Sequence, residues 1–180
     1  MEKNRRSIRL KGYDYSQEGA YFVTICCSNK IHKFGIIKQQ TMLLNELGIL
    51  AQKEWEKLAE RYENIALGAF VVMPNHIHFI LTILKKERYT LGQMIGAYKS
   101  LVVKTAIETT KAANPEAYFD KNIWHRNYYE HIIRNETAYD KISDYIINNP
   151  INWQKQADFY QKLEAAAAKN EDYENFAKNI

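Results

Sequence analysis

The sequence predicts an α+β fold, a ferredoxin-like antiparallel sheet with helices mainly on one face. Three observations carry that prediction. Two runs rich in β-branched and aromatic residues, AYFVTICCS (20–28) and IALGAFVVMPNHIHFILTIL (65–84), have strand character. Segments with apolar residues every three or four positions lie between and after them and read as amphipathic helices. Antiparallel strands and helices interleave along the chain, which suggests an α+β sandwich with helices mostly on one face of the sheet.

Taken in order, residues 20–28 form the first predicted strand. Residues 29–44 alternate weakly and read as a loop plus a short strand near Phe34–Ile37. Asn45 is a good N-cap, and Leu47, Leu50, Ala51, Trp55, Leu58 and Tyr62 mark one helix over about 46–62. The apolar run 65–84 is split by Pro74 and Asn75, so it reads as two strands joined by a tight turn, not as one buried helix. Thr90 caps a second helix whose apolar face is Leu91, Met94, Ile95, Tyr98, Leu101, Val102 and Thr105, with Gln93, Lys99 and Lys104 lying away from it. Residues 111–123 contain Asn114-Pro115 and read as a loop, and IWHRNYYEHIIR (123–134) as a strand or an irregular turn. A last helix starts near Glu136, carries Tyr139, Ile142, Tyr145 and Ile146 on one stripe, and stops at Pro150. The chain thus divides into a basic arm (1–18), one domain (19–153) and a tail (154–180) containing the strong helix former LEAAAAK.

At 180 residues, with 46% apolar and 26% charged residues, the composition is that of a globular protein able to bury a core without staples. No apolar run is long enough to span a membrane, and no secretory signal follows the charged start. Cys26 and Cys27 are adjacent, a spacing that suits neither a CxxC redox pair nor a zinc knuckle; they read as small apolar strand residues in a reducing cytoplasm. The net charge is +4, and residues 1–13 hold Lys3, Arg5, Arg6, Arg9 and Lys11 against Glu2 alone, so the arm carries the whole excess. A basic arm beside a neutral body suggests contact with phosphates, the alternative being a solvated terminus.

The sharpest local signal is Pro74-Asn75-His76-Ile77-His78. Residues two apart on a strand point to the same face, so His76 and His78 would present two imidazoles side by side while Ile77 and Phe79 face the core. Two neutral imidazoles can grip one divalent cation but make a weak site alone; oxygen donors from elsewhere would suit Mg²⁺ or Mn²⁺. Tyr145 and Asn149 are four apart on the last helix and share a face. Asn149 could complete the coordination with Tyr145 beside the metal; alternatively Tyr145 packs and Asn149 only ends the helix.

VVMPNHIHFIL and WHRNYYEHIIRNETAYDKISDYIINNP together resemble the REP-associated tyrosine transposases, members of the HUH single-strand endonuclease superfamily. RSIRLKGYDYSQEGAYFVTIC and LGQMIGAYKS are similar to the same group, so the resemblance covers about residues 5–153. It implies His76 and His78 as the metal-binding pair on a strand, Tyr145 on the C-terminal helix as the nucleophile, and Asn149 where related transposases place a third ligand, often glutamine. Tyr128, Tyr129 and Tyr139 are competing tyrosines, and His131 is unassigned.

The implied activity is a transposase-like endonuclease and strand transferase on single-stranded hairpin DNA, dependent on Mg²⁺ or Mn²⁺ and passing through a 5′-phosphotyrosine. No Gly-rich phosphate loop is present, in keeping with a reaction that conserves bond energy. Arg5, Arg6, Arg9, Lys11, Lys99, Lys104 and Arg126 are candidate phosphate contacts, with Tyr13, Tyr15 and Tyr128 as stacking surfaces. The REP-associated group implies a monomer, a dimer with exchanged active-site helices being the alternative. Rival readings are a repurposed, non-catalytic hairpin-binding protein, a hydrolase using metal-bound water, and a plain binding module. The hydrolase would want a carboxylate near the histidines, and none lies between Glu63 and Glu87.

Overall fold

Residues 9, 10 and 12–153 are described by a computed structural model. The predicted tail helix and Arg5, Arg6 and Lys11 lie outside the described residues. The elements are β1 (Gly19–Cys26), β2 (Gly35–Lys38), β3 (Thr41–Leu44), α1 (Glu46–Glu56), α2 (Leu58–Arg61), β4 (Ile65–Met73), β5 (His76–Ile83), α3 (Leu91–Ala113), β6 (Tyr129–Ile133) and α4 (Glu136–Ile147). Four strands form one antiparallel sheet in the order β4-β5-β1-β6, and β2 pairs with β3 in a separate hairpin. With that hairpin set aside, the order is the split βαββαβ arrangement of a ferredoxin-like sheet.

Helix starts follow the capping chemistry. Asn45 Oδ1 accepts from the Gly48 amide at 3.0 Å, and Asn135 Oδ1 accepts from the Ala138 amide at 2.8 Å. Thr90 and Gln93 form a reciprocal capping box at the head of α3. The predicted helix over 46–62 is interrupted at Lys57, so α1 and α2 are separate. The longer surprise is α3, which runs to Ala113 because Lys111, Ala112 and Ala113 are compatible with helix until Asn114-Pro115 ends it. Strand β3 was not foreseen. Its turn residues, Gln39 and Gln40, have φ of 50° and 62°, a left-handed pair built without the Asn-Gly or Asp-Gly signature that marks such turns.

Strand alternation divides the core. Tyr21, Val23, Ile25, Ile77, Phe79 and Leu81 face one side, where Ala51, Trp55, Met94 and Tyr98 of α1 and α3 cover them. Phe22, Ile80 and Ile133 face the other, where Ile142 and Ile146 of α4 pack. Helices lie mainly on one face, as expected, with α1 and α3 there and, among the described residues, α4 alone on the other. A helix is needed there because the opposite face of the sheet is itself apolar around Phe22 and Ile80. A bulge between Leu67 and Phe70 puts both side chains on the α1 face, where Phe70 stacks on Trp55, and turns Ala69 and Val71 towards α4.

Gly68 lies in that bulge, and a Cβ there would meet Tyr139 Oη at 2.6 Å and Ile80 Cβ at 3.0 Å. The tyrosine tip can swing aside, but Ile80 sits in a central strand. Gly68→Val is expected to destabilise the fold by about 1–3 kcal/mol in urea denaturation through overpacking under α4, whereas Gly96→Ala, at a position open to solvent on α3, should be neutral or stabilising.

Candidate active site

The second face of the sheet carries polar groups at one end. Along β5, His76 and His78 alternate with Ile77 and Phe79, and the register sets Cys26 opposite His76 and Thr24 opposite His78. Both imidazoles are buried, at 2% and 1% exposure, and their rings lie 4.5 Å apart centroid to centroid. The Ile77 and Phe79 side chains point into the main core, as the alternation requires.

Helix α4 crosses this face and brings Tyr145 over the pair. The Tyr145 ring is 5.5 Å from that of His78 and stands edge-on to Phe22 at 6.0 Å. α4 ends at Ile147, so Asn149 sits not on the helix but in the turn after it, where its amide donates to the Ile146 carbonyl at 3.3 Å. It nevertheless points inward and is completely buried. Neither polar atom of its side chain reaches standard hydrogen-bond geometry among the described residues, although the amide lies close enough to His76 to favour its protonated ring. His76, His78, Tyr145 and Asn149, drawn from two distant stretches of chain, thus converge on one patch.

Three neighbours were not anticipated. Trp153 stacks on His76 at 5.8 Å with planes 19° apart, and His32 meets the edge of Trp153 at 5.7 Å. Thr24 shares a 2.8 Å hydrogen bond with His78 Nδ1. A lone His in a loop, a Trp at the head of the tail and a Thr in a strand carry no sequence pattern; strand register and the turn after α4 bring them here. Of the competing tyrosines, Tyr128 is buried, Tyr139 lies over Gly68, and Tyr129 stands opposite Thr24 on the row that includes His78. His131 lies two positions further along β6, opposite Phe22.

The basic candidates behave differently from one another. Arg9 lies 3.5 Å above the Tyr128 ring, donates to the Tyr128 carbonyl and pairs with Glu130, which also accepts from Tyr15 Oη at 2.7 Å. Lys99 Nζ donates to the carbonyls of His125 and Arg126 at 2.8 and 3.0 Å, and Trp124 Nε1 donates back to the Lys99 carbonyl. Both therefore fasten the WHRNYYE block to the domain. Tyr13 and Tyr15 pack edge-on to each other near Tyr21. Lys104 and Arg126 are exposed, Lys104 with Glu108 at 3.8 Å.

Burial dominates the electrostatics. It pushes His76 down to about 3, with His32 adding to the depression and Asn149 opposing it. His78 is held well below the usual imidazole range by burial and by His76. Both rings are thus neutral, the state a metal ligand requires. No three His, Cys, Asp or Glu side chains form a metal-holding cluster among the described residues, so a cation on the imidazole pair would take its further protein donor from Asn149. Two neutral imidazoles and an amide oxygen are a donor set whose chemistry suits a weakly held Mn²⁺ or Mg²⁺.

Residues 19–149 match the model of the family described as "Transposase IS200 like", and the chain belongs to that family. It is similar to an uncharacterized protein of Haemophilus influenzae, 39% identical over 84% of this chain and 91% of that one. It is also similar to a REP-associated tyrosine transposase of Escherichia coli K12, 26% identical over 79% of this chain and 73% of that one. A REP-associated tyrosine transposase solved bound to a REP hairpin has the same fold, with a TM-score of 0.57 at 22% identity, over 80% of this chain and 73% of that one. No helix among the described residues is long and apolar enough to cross a membrane.

The buried histidines set an acid limit on the metal-free fold. The unfolded chain protonates each imidazole as pH falls through about 6.5, whereas folded His76 resists protonation until about 3. The unfolded state therefore binds more protons in this window, and stability should be full above the upper limit and fall steadily below it. Denaturant midpoints in chelator between pH 7 and 4 should decline in the wild type, and less steeply in His78→Phe.

Proposed function

We propose that this protein is a tyrosine endonuclease and strand transferase acting on single-stranded hairpin DNA. The observation that carries the reading is the convergence of Tyr145 on the buried His76–His78 pair with Asn149 at its side. Membership of the IS200-like transposase family and the likeness to a hairpin-bound relative support it.

Tyr145 Oη attacks the scissile phosphorus, losing its proton as the new P–O bond forms. The bond from phosphorus to the 3′ oxygen breaks, and that oxygen takes up a proton and leaves as a hydroxyl. A 5′-phosphotyrosine remains, and attack by a 3′-hydroxyl on it rejoins the strand and returns Tyr145 to its phenol. His76, His78 and Asn149 would hold a divalent cation, which when bound supplies charge compensation at the phosphate oxygens. The apolar surround of Phe22, Ile146 and Trp153 limits water at the phosphotyrosine, which favours strand transfer over hydrolysis. Lys104 and Arg126, with Arg5, Arg6 and Lys11 of the arm, contact backbone phosphates, and Arg9 and Lys99 contribute by fastening the segment that carries Arg126.

Incubation of labelled hairpin DNA with Mn²⁺, followed by a denaturing gel, tests this directly. The wild type should give a protein-linked DNA band, Tyr145→Phe none, and Tyr129→Phe a band within a few-fold of wild type. A band that persists in Tyr145→Phe would reject the assignment of the nucleophile. Hairpin binding with no covalent band from the wild type would mark a non-catalytic binding protein.

A further inference from the structure

His76 is held by more than its strand. Its Nδ1 lies 2.7 Å from Asn75 Oδ1, and an amide oxygen can only accept, so this contact requires the proton on Nδ1. The amide's orientation is itself fixed, because Asn75 Nδ2 donates to the Lys30 carbonyl at 3.4 Å and so directs the oxygen towards the ring. That carbonyl comes from a one-turn 3₁₀ segment, Ser28–Lys30, in which Asn29 and Lys30 both have φ of 53°. Two successive non-glycine residues in the left-handed region are costly and persist only where the surroundings hold them. Here the backbone of the Pro74-Asn75 turn does so. The Asn75 carbonyl accepts from Cys27, and the Pro74 carbonyl accepts from Lys33 and Phe34.

We propose that Asn75 is a positioning residue that locks His76 in the Nδ1–H tautomer, leaving Nε2 as the nitrogen that carries the lone pair for a cation. Neutral imidazole in water favours the opposite tautomer, with its proton on Nε2. Asn75 is therefore not just a turn former. It links the strained 28–30 segment to the chemistry of the ring, as outer partners of ligating histidines do in general. This inference rests on the metal reading above, but its first test does not.

The test is nitrogen NMR of the full, metal-free chain at neutral pH, with His76 assigned from the signals lost in His76→Ala. The wild type should show His76 protonated at Nδ1, and Asn75→Leu should move the ring towards Nε2 protonation. Titration with Mn²⁺ should show affinity about 10-fold or more lower in Asn75→Leu, with Asn75→Asp, which keeps an accepting oxygen, closer to wild type. A wild-type ring protonated at Nε2 would overturn the proposal whether or not any variant folds. So would an Asn75→Leu protein with unchanged tautomer and unchanged Mn²⁺ affinity. The expected tautomer in a wild type that binds no Mn²⁺ would sink the metal reading and leave the tautomer assignment standing.

Discussion

Strand β5 has two jobs, and the period of the pleat lets it do both. Ile77, Phe79 and Leu81 fill the main core under α1 and α3, while His76 and His78 occupy the intervening positions on the opposite face. Because β5 lies inside the sheet between β1 and β4, a slip of one residue would turn the imidazoles into the core under α1 and α3 and the core residues towards α4, so register is strongly specified. Everything at the site inherits this constraint. The histidines are neutral because they are buried, and they are buried because their strand is central.

That placement obliges the second face to be covered, and α4 supplies the cover. Ile142 and Ile146 seat the helix on Phe22 and Ile80, and the same seating carries Tyr145 to His78 and ends just before Asn149. The β4 bulge is part of this arrangement, since it turns Ala69 and Val71 towards α4 while Phe70 still reaches Trp55. On the other side of the histidines, the turn of Pro74 and Asn75 is gripped by the 27–34 segment, and His32 and Trp153 close over His76. A buried amide with neither polar atom in a standard hydrogen bond among the described residues, as in Asn149, costs stability. In the proposed cation site that cost would have a use.

Much of this was legible in the residues. The His-x-His spacing and the break at Pro74 put His76 and His78 on one face of a strand, and the apolar stripe puts Tyr145 on a helix, because each depends on a local period; Asn149, read as the next turn of that helix, lies in the turn beyond it. What escaped depends on distant pairing. Thr24 reaches His78 through register with β1, and Trp153 reaches His76 through the turn after α4. The left-handed pair at Gln39 and Gln40 has no glycine or asparagine to announce the β2–β3 hairpin. Charge alone could not tell Arg126, which is exposed, from Arg9 and Lys99, which are bound to Glu130 and to backbone carbonyls.

The central claim is that His76, His78 and Asn149 form a prepared cation site, and thermal unfolding with and without Mn²⁺ tests it most directly. A cation bound only by the folded state raises its apparent stability. The wild type should therefore show a saturable rise in Tm with Mn²⁺. Asn149→Leu should match or exceed the metal-free wild type, since it removes a buried amide lacking a standard hydrogen bond among the described residues, and should lose the Mn²⁺ response. A wild type indifferent to Mn²⁺, or an Asn149→Leu protein that keeps the full response, would contradict it.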